Sequence, residues 1–232
     1  GDRIEALRFT NGEVVTDRDY IVSTIPLTYL LDHLGLTPGK LPIRFRSMVF
    51  AFLEIPQPQL SEYFWIYFPD RDICFQRLTD FSHFEADMAP AGQTGIGFEI
   101  SCFPEDEIWQ SPDEEVATRV RADLAKTGLL DPAAPGRMHV ERRRFIYPIQ
   151  VTGYLEMVQR LLEPVRELSN FVTTGRQGLY KYCNMNECME MAIDAAEQIE
   201  QDADGFRYPL DSNWKGAGLE EERVVEEWQS AR

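Results

Sequence analysis

Between Asn170 and Ile199 the chain reads NFVTTGRQGLYKYCNMNECMEMAIDAAEQI, and six of these residues have the types and spacing to recognise an anion. Gly175 and Gly178 permit a tight turn, Arg176 and Lys181 supply positive charge, and Asn184 stands where a helix N-cap belongs. Glu187, three residues later, can reach back to complete a capping box. The orphan N–H groups of a helix start and the helix dipole both favour a phosphate. The same pattern also describes an ordinary packing unit of strand, loop and helix, which is common in α/β domains.

The elements that would position these groups are a short buried strand, Phe171 to Thr173, and a helix beginning near Met185. Met185, Met189, Ala192, Ala196 and Ile199 recur every three to four residues, which predicts one apolar helix face. Upstream, a helix from about Thr152 to Leu168, interrupted by Pro164, delivers the chain to this stretch. Before it, Met138 to Ile146 reads as a strand whose period of two puts Arg142 and Arg144 on one face and Arg143 on the other. Paired guanidinium groups suit diphosphate or carboxylate recognition. The alternative is a solvated edge strand whose charges blunt aggregation.

The rest of the chain is strand-rich. Residues 3 to 9 and Val14-Val15 flank Asn11-Gly12, a hairpin signal. Tyr20 to Thr24 is a continuous apolar run suited to a strand buried on both faces. Pro26 and Gly35 bracket a helix over 27–34. Ser47 to Ile55, Tyr63 to Phe68, Ile73 to Leu78 and Ile96 to Cys102 are dense in aromatic and β-branched residues, and the turn at Pro69 to Asp72 makes the middle two an antiparallel pair. The aromatic face of this sheet either packs under helices or lines a pocket. Ser111-Pro112-Asp113-Glu114 opens a helix with Val116, Val120, Leu124 and Thr127 as its apolar stripe and Gly128 at its end. Beyond Gln201 the composition turns polar and acidic, closing on a short amphipathic helix, Leu219 to Trp228.

The string Gly175-Arg-Gln-Gly-Leu-Tyr-Lys-Tyr-Cys-Asn-Met185 resembles the C-terminal flavin-contacting segment of FAD-dependent oxidoreductases of the amine-oxidase and protoporphyrinogen-oxidase superfamily, and looks closest to the UDP-galactopyranose mutase-like branch. Arg144, Tyr147, Pro148 and Tyr154 extend the resemblance upstream, and Ile21 to Pro26 (IVSTIP) is similar to a strand of that family's flavin domain. The resemblance implies FAD as cofactor, contacted by Gly175, Arg176, Tyr182, Asn184 and Met185. Arg142 and Arg144, by their paired guanidinium groups, and Tyr154 are the positions expected to meet an anionic substrate such as a nucleotide sugar. The dinucleotide fingerprint G-x-G-x-x-G is missing: Gly92-Gln-Thr-Gly95-Ile-Gly97 has the spacing reversed and runs into a strand. With the opening on Gly1-Asp2-Arg3-Ile4, this implies a fragment or truncated product that lacks the N-terminal half of the flavin fold and binds FAD poorly by itself.

A net charge of −16 argues against nucleic acid and against an anionic membrane surface, both of which need clustered basic residues. No apolar run approaches the roughly 20 residues of a membrane span. Cys74, Cys102, Cys183 and Cys188 lack paired metal-site spacing. The interval of five puts Cys183 and Cys188 on different faces of the helix start, and reduced thiols in a cytoplasmic protein are expected. His33, His83 and His139 have no second ligand four residues on, so no metal is expected. No nucleophile elbow or Cys-His pairing is visible, and no catalytic residue can be named.

The expected architecture is α+β: a mostly antiparallel substrate-domain sheet with flanking helices, plus the C-terminal strand-turn-helix part of a flavin-binding α/β domain. Its divisions are 1–36, part of the FAD-binding domain; 37–150, the substrate or cap domain; 151–201, the C-terminal part of the FAD-binding domain; and 202–232, an acidic tail. The function implied is the C-terminal portion of an FAD-dependent oxidoreductase or mutase, inactive alone. The alternative is a non-catalytic ligand-binding or protein-interaction domain derived from one.

Overall fold

A computed structural model of the chain describes residues 2–37, 43–131 and 133–201. The tail from 202 and its expected helix, Leu219 to Trp228, lie outside them. In chain order the first elements are β1 (Ala6–Arg8), β2 (Val14–Thr16), β3 (Ile21–Ser23), α1 (Leu27–Leu34), β4 (Phe45–Ile55), β5 (Trp65–Tyr67), β6 (Arg77–Asp80) and β7 (Thr94–Cys102). There follow α2 (Glu107–Gln110), α3 (Asp113–Thr127), β8 (Met138–Pro148), α4 (Tyr154–Arg166), β9 (Phe171–Thr173), α5 (Gly175–Gly178) and α6 (Met185–Gln201). The backbone divides into two compact units, one built from the segments before residue 43 and after 149, the other from Ile43–Ile149. The fold class is α+β, with the mostly antiparallel sheet in the second unit.

That sheet has five strands in the order β5-β6-β7-β4-β8, every neighbouring pair antiparallel. Alternation along β4 sends Val49, Ala51, Leu53 and Ile55 to one face, where they meet Ile96, Phe98 and Ile100 of β7 and the stripe Val116, Val120 and Leu124 of α3. Apart from Ala51, each of these buried side chains contributes roughly 1.5–3 kcal/mol of transfer free energy. The expected pair of strands at 63–68 and 73–78 forms, but with a shift: β6 begins at Arg77, and residues 73–76 are irregular. Asp123 of α3 takes the Cys74 amide at 2.8 Å, pulling this stretch under the helix and out of the ladder.

In the other unit β3 pairs with β9 in parallel, Val22 beside Val172. The buried Asn170 carboxamide clamps the opening segment, accepting from the Ile4 amide at 2.9 Å and donating to the Ile4 carbonyl at 3.0 Å. Leu27, Leu30 and Leu31 of α1 and Val158, Leu161, Leu162 and Val165 of α4 are buried in this unit. Three expectations fail here. β3 is not covered on both faces: Val22 is 52% exposed, because Ala195 and Ile199 of α6 shelter Val172 and leave its neighbour outward. α4 is not broken by Pro164, which it carries one turn from its end. There the loss of one backbone bond is outweighed by the burial of Leu161, Leu162 and Val165.

The third failure is the orientation of α6. Most of the stripe read as its core face is turned out: Met185 is 80% exposed, Met189, Ala192 and Ala196 are exposed as well, and of that stripe Ile199 alone packs inward. The inward row is Cys188, Met191, Ala195 and Ile199, fixed where Ala195 meets Val172 and where the Thr174 hydroxyl donates to the Met191 carbonyl at 3.3 Å. Both rows are apolar at helical spacing, so periodicity could not choose between them.

Candidate functional site

The turn from β9 into α6 is built by backbone and buried polar groups before any ligand is considered. Gly175 adopts a φ of +77°, open to glycine at no steric cost, and starts the single turn α5. Gly178 lies so close to β9 that a Cβ there would stand 2.6 Å from the Thr173 hydroxyl oxygen. That hydroxyl donates to the Gly178 carbonyl at 3.0 Å. Tyr180 follows in a left-handed conformation, with a φ of +50°, and is held from both ends. Its hydroxyl accepts from the Thr28 amide at 3.0 Å at the start of α1, and its carbonyl accepts from the Tyr154 hydroxyl at 2.7 Å.

Beyond Tyr180 the side chains of Tyr182, Asn184 and Met185 turn outward, while Cys183 stays buried. The Arg176 guanidinium lies 4.3 Å from the centroid of the Tyr182 ring and donates to the Cys183 carbonyl at 3.1 Å. The ring itself is 51% exposed, and Met185 stands one helical step further on. These five expected cofactor positions, Gly175, Arg176, Tyr182, Asn184 and Met185, are thus on one turn and its helix start. The Asn184 amide donates to the Glu187 carboxylate at 2.7 Å, the reaching-back half of the expected capping box. The consequence for an anion is adverse. A carboxylate already occupies the positive end of α6, and the Thr174 and Leu179 amides are bonded to the carbonyls of Ser23 and Gly175.

The expected substrate positions separate. Arg142 pairs with Val49, on the face of the sheet that carries α3, and its guanidinium donates to the carbonyls of Trp109 and Ser111 and to the Asp113 carboxylate. It ties the start of α3 to the sheet. Arg143, beside Met48, is on the opposite face, and Arg144 is exposed with its guanidinium 5.5 Å from the Phe145 ring centroid. Tyr154 is 4% exposed, and burial, then the neighbouring Tyr180, holds its phenol above the ordinary value. Its hydroxyl is spent on the turn described above.

A second group of residues was missed in the sequence. On the sheet face away from α3, Tyr67, Arg77, Glu99, Phe50 and Glu141 stand side by side across all five strands. The next row is Trp65, Thr79, Gly97, Phe52 and His139. Arg77 is bonded to Glu99 and lies 6.0 and 5.8 Å from the ring centroids of Trp65 and Tyr67, both of them exposed. The glycines of β7 make room for Phe81, whose ring would be 3.1 Å from a Cβ at Gly97. The signal was there in the alternation of YFWIYF and in Arg77 at the end of an apolar run, but only register brings them together. Among the described residues no group of three or more His, Cys, Asp or Glu could hold a metal ion, and no helix is long and apolar enough to cross a membrane.

Comparison of the fold gives the class. A crystal structure of reduced UDP-galactopyranose mutase aligns with a TM-score of 0.69 and 22% identity, over 85% of this chain and 44% of that one. A protein of Exiguobacterium sp. 255-15 assigned as a protoporphyrinogen oxidase aligns with a TM-score of 0.63 and 20% identity, over 84% and 44%. An oxidoreductase of Methanosarcina mazei aligns with a TM-score of 0.50 and 11% identity, over 83% and 48%. The chain therefore shares the fold of these structures, and spans less than half the length of each of them. No protein-family model and no curated protein sequence matches it.

Proposed function

We propose that this chain is the C-terminal portion of an FAD-dependent oxidoreductase of the amine-oxidase and protoporphyrinogen-oxidase kind. The observation that carries the reading is the exposed Tyr182 to Met185 step, braced by Arg176 on a turn pinned from α1 and α4, in a fold shared with such enzymes. Gly175, Arg176, Tyr182, Asn184 and Met185 border the cofactor. The fit is to the ring and ribityl end: an aromatic and thioether surface suits a flat, apolar ring. The Glu187 carboxylate at the head of α6 does not suit a diphosphate there. Bound flavin would supply the electron-pair chemistry, and these residues orient it and shield one side of it from water.

The narrower form of the proposal is action on a nucleotide sugar, without net redox change, as in the mutase-like branch. It is supported by the row of Trp65, Tyr67 and Arg77, which offers stacking surfaces beside a guanidinium. Arg144 keeps its place as an exposed substrate contact; Arg142 and Tyr154 serve by holding α3 and the Tyr180 turn. Free thiols throughout the described residues suit a reducing compartment such as the cytoplasm. The second reading, a non-catalytic interaction domain, is favoured by the exposed apolar row of Met185, Met189 and Ile193.

The test is a fluorescence titration of the purified chain with riboflavin and with FAD. Saturable quenching by both, at similar affinity and lost in Tyr182→Ala, is expected, since only the ring end is gripped. Quenching by neither, in this chain or in one extended by its upstream coding sequence, leaves the interaction-domain reading.

A further inference from the structure

Cys183 and Cys188 were expected on different faces of the helix start. Their sulfur atoms are instead 3.4 Å apart. The reason is that α6 begins at Met185, so Cys183 precedes the helix and its side chain folds back over the first turn, where Cys188 points inward. Both are free thiols. Closing 3.4 Å to a disulfide of about 2.0 Å asks for side-chain movement of little more than an ångström. The two sulfurs differ in access: Cys183 is 3% exposed, whereas Cys188 is half-buried.

We propose that Cys183 and Cys188 form a reversible dithiol-disulfide couple on the turn into α6, oxidised by hydrogen peroxide and reduced by small-molecule thiols. In the first step the Cys188 thiolate attacks a peroxide oxygen; an S–O bond forms, the O–O bond breaks, and the departing hydroxide takes up a proton as water. In the second, the Cys183 sulfur attacks the Cys188 sulfur; the S–S bond forms, the S–O bond breaks, and hydroxide leaves with the Cys183 proton as a second water. The sulfur pair loses two electrons and the two peroxide oxygens gain them. A dithiol reverses the process by exchange.

The first step belongs to Cys188 because oxidant reaches it. The second is slow and base-promoted. Burial, followed by the hydrogen bond and charge of Cys188, pushes the Cys183 thiol up to about 11, so it stays protonated near neutral pH. Cys74 and Cys102 are poorer targets: burial pushes Cys74 up to about 12 and raises Cys102 as well.

The couple would not be silent. The Cys183 carbonyl is the acceptor of the Arg176 guanidinium that braces Tyr182, so a bridge from Cys183 to the first turn of α6 constrains the proposed flavin-bordering turn. This consequence, unlike the couple itself, rests on the flavin reading.

The experiment is peroxide oxidation of the full chain, followed by thiol titration, intact mass and peptide mapping. Expected are the loss of two of the four thiols, a mass lower by two hydrogens, a linked peptide pair containing Cys183 and Cys188, and full reversal by dithiothreitol. The rate of closure should rise with pH. In Cys183→Ser, or in Cys183→Ala should the serine variant misfold, Cys188 should instead accumulate as a dimedone-trapped sulfenic acid. Stable sulfenic or sulfinic acid at Cys188 in the unaltered chain, a bridge between chains, or no loss of thiol would each overturn the couple. Riboflavin affinity of the oxidised and reduced chains should differ by about threefold or more. Equal affinities would overturn the link to the turn and leave the couple intact, whereas absence of riboflavin binding in both forms would count against the flavin reading alone.

Discussion

The hydroxyl of Tyr154 donates to the carbonyl of Tyr180 at 2.7 Å, joining the first turn of α4 to a residue held at a φ of +50°. Tyr180 is fully buried and in turn receives the amide that opens α1, so one short stretch of irregular backbone fastens two helices. Removing the phenolic oxygen deletes this buried hydrogen bond. Tyr154→Phe is therefore expected to cost about 1–3 kcal/mol in urea unfolding. An unchanged midpoint would mean that the turn does not depend on this bond.

Arg176 should matter to ligand and not to the core. It stacks on an exposed ring and bonds the Cys183 carbonyl, so Arg176→Ala should weaken riboflavin quenching about tenfold, close to 1.4 kcal/mol. Lysine cannot stack and bond at once, and Arg176→Lys should recover little of the loss. Full recovery by lysine would reduce the role of Arg176 to its charge.

Gly178→Ala tests the close approach of α5 to β9. The added Cβ meets the Thr173 hydroxyl oxygen at 2.6 Å and the Ser23 carbonyl oxygen at 3.3 Å, so the turn must shift. The expected cost is about 1–3 kcal/mol. Thermal unfolding at the unaltered midpoint would show that the turn relaxes without strain.

Asp123 gives a pH dependence with a definite sign. Burial opposes its ionisation, but the Lys126 ammonium and the Cys74 thiol and amide outweigh that and hold the carboxyl below its ordinary value. Asp80 behaves likewise: burial is overcome by the Ser82 hydroxyl and the amides of Leu60, Ser82 and Ser61. A carboxyl whose folded pKa is depressed contributes stability that is present above the unfolded value, about 3.9, and is lost as pH falls through the folded value. Unfolding free energy should therefore hold down to about pH 4 and then decline. Asp123→Asn should lower stability at neutral pH by about 1–3 kcal/mol, with the difference shrinking in acid. A difference that stays constant from pH 7 to about pH 3 would exclude the linkage.

The open face of the five-stranded sheet makes its own prediction. If Arg77, Trp65 and Tyr67 receive a nucleotide, Arg77→Leu should weaken binding of uridine diphosphate about tenfold, read by calorimetry. Equal affinity in the variant would remove this row from the substrate reading.

Much of this molecule could be read from one line of residues wherever the signal was local. The hairpin at Asn11-Gly12, the ends of α1 at Pro26 and Gly35, the stripe of α3 and the strand over Ser47 to Ile55 all depend on neighbours within a turn or a pleat, and all formed. The resemblance of the Gly175 to Met185 string was enough to anticipate the fold later seen in the aligned structures.

What tertiary structure alone decided was every choice between two locally equal alternatives. α6 carries two apolar rows, and only the approach of Ala195 to Val172 selected the one that is buried. Arg142 and Arg144 looked alike on a strand, until the start of α3 engaged the first and left the second in solvent. Cys183 and Cys188 met because the helix began after the first of them, and Tyr67, Arg77 and Glu99 met because three strands fell into one register. Periodicity specifies which residues share a face; which face is covered, and by what, depends on contacts between residues far apart in the chain.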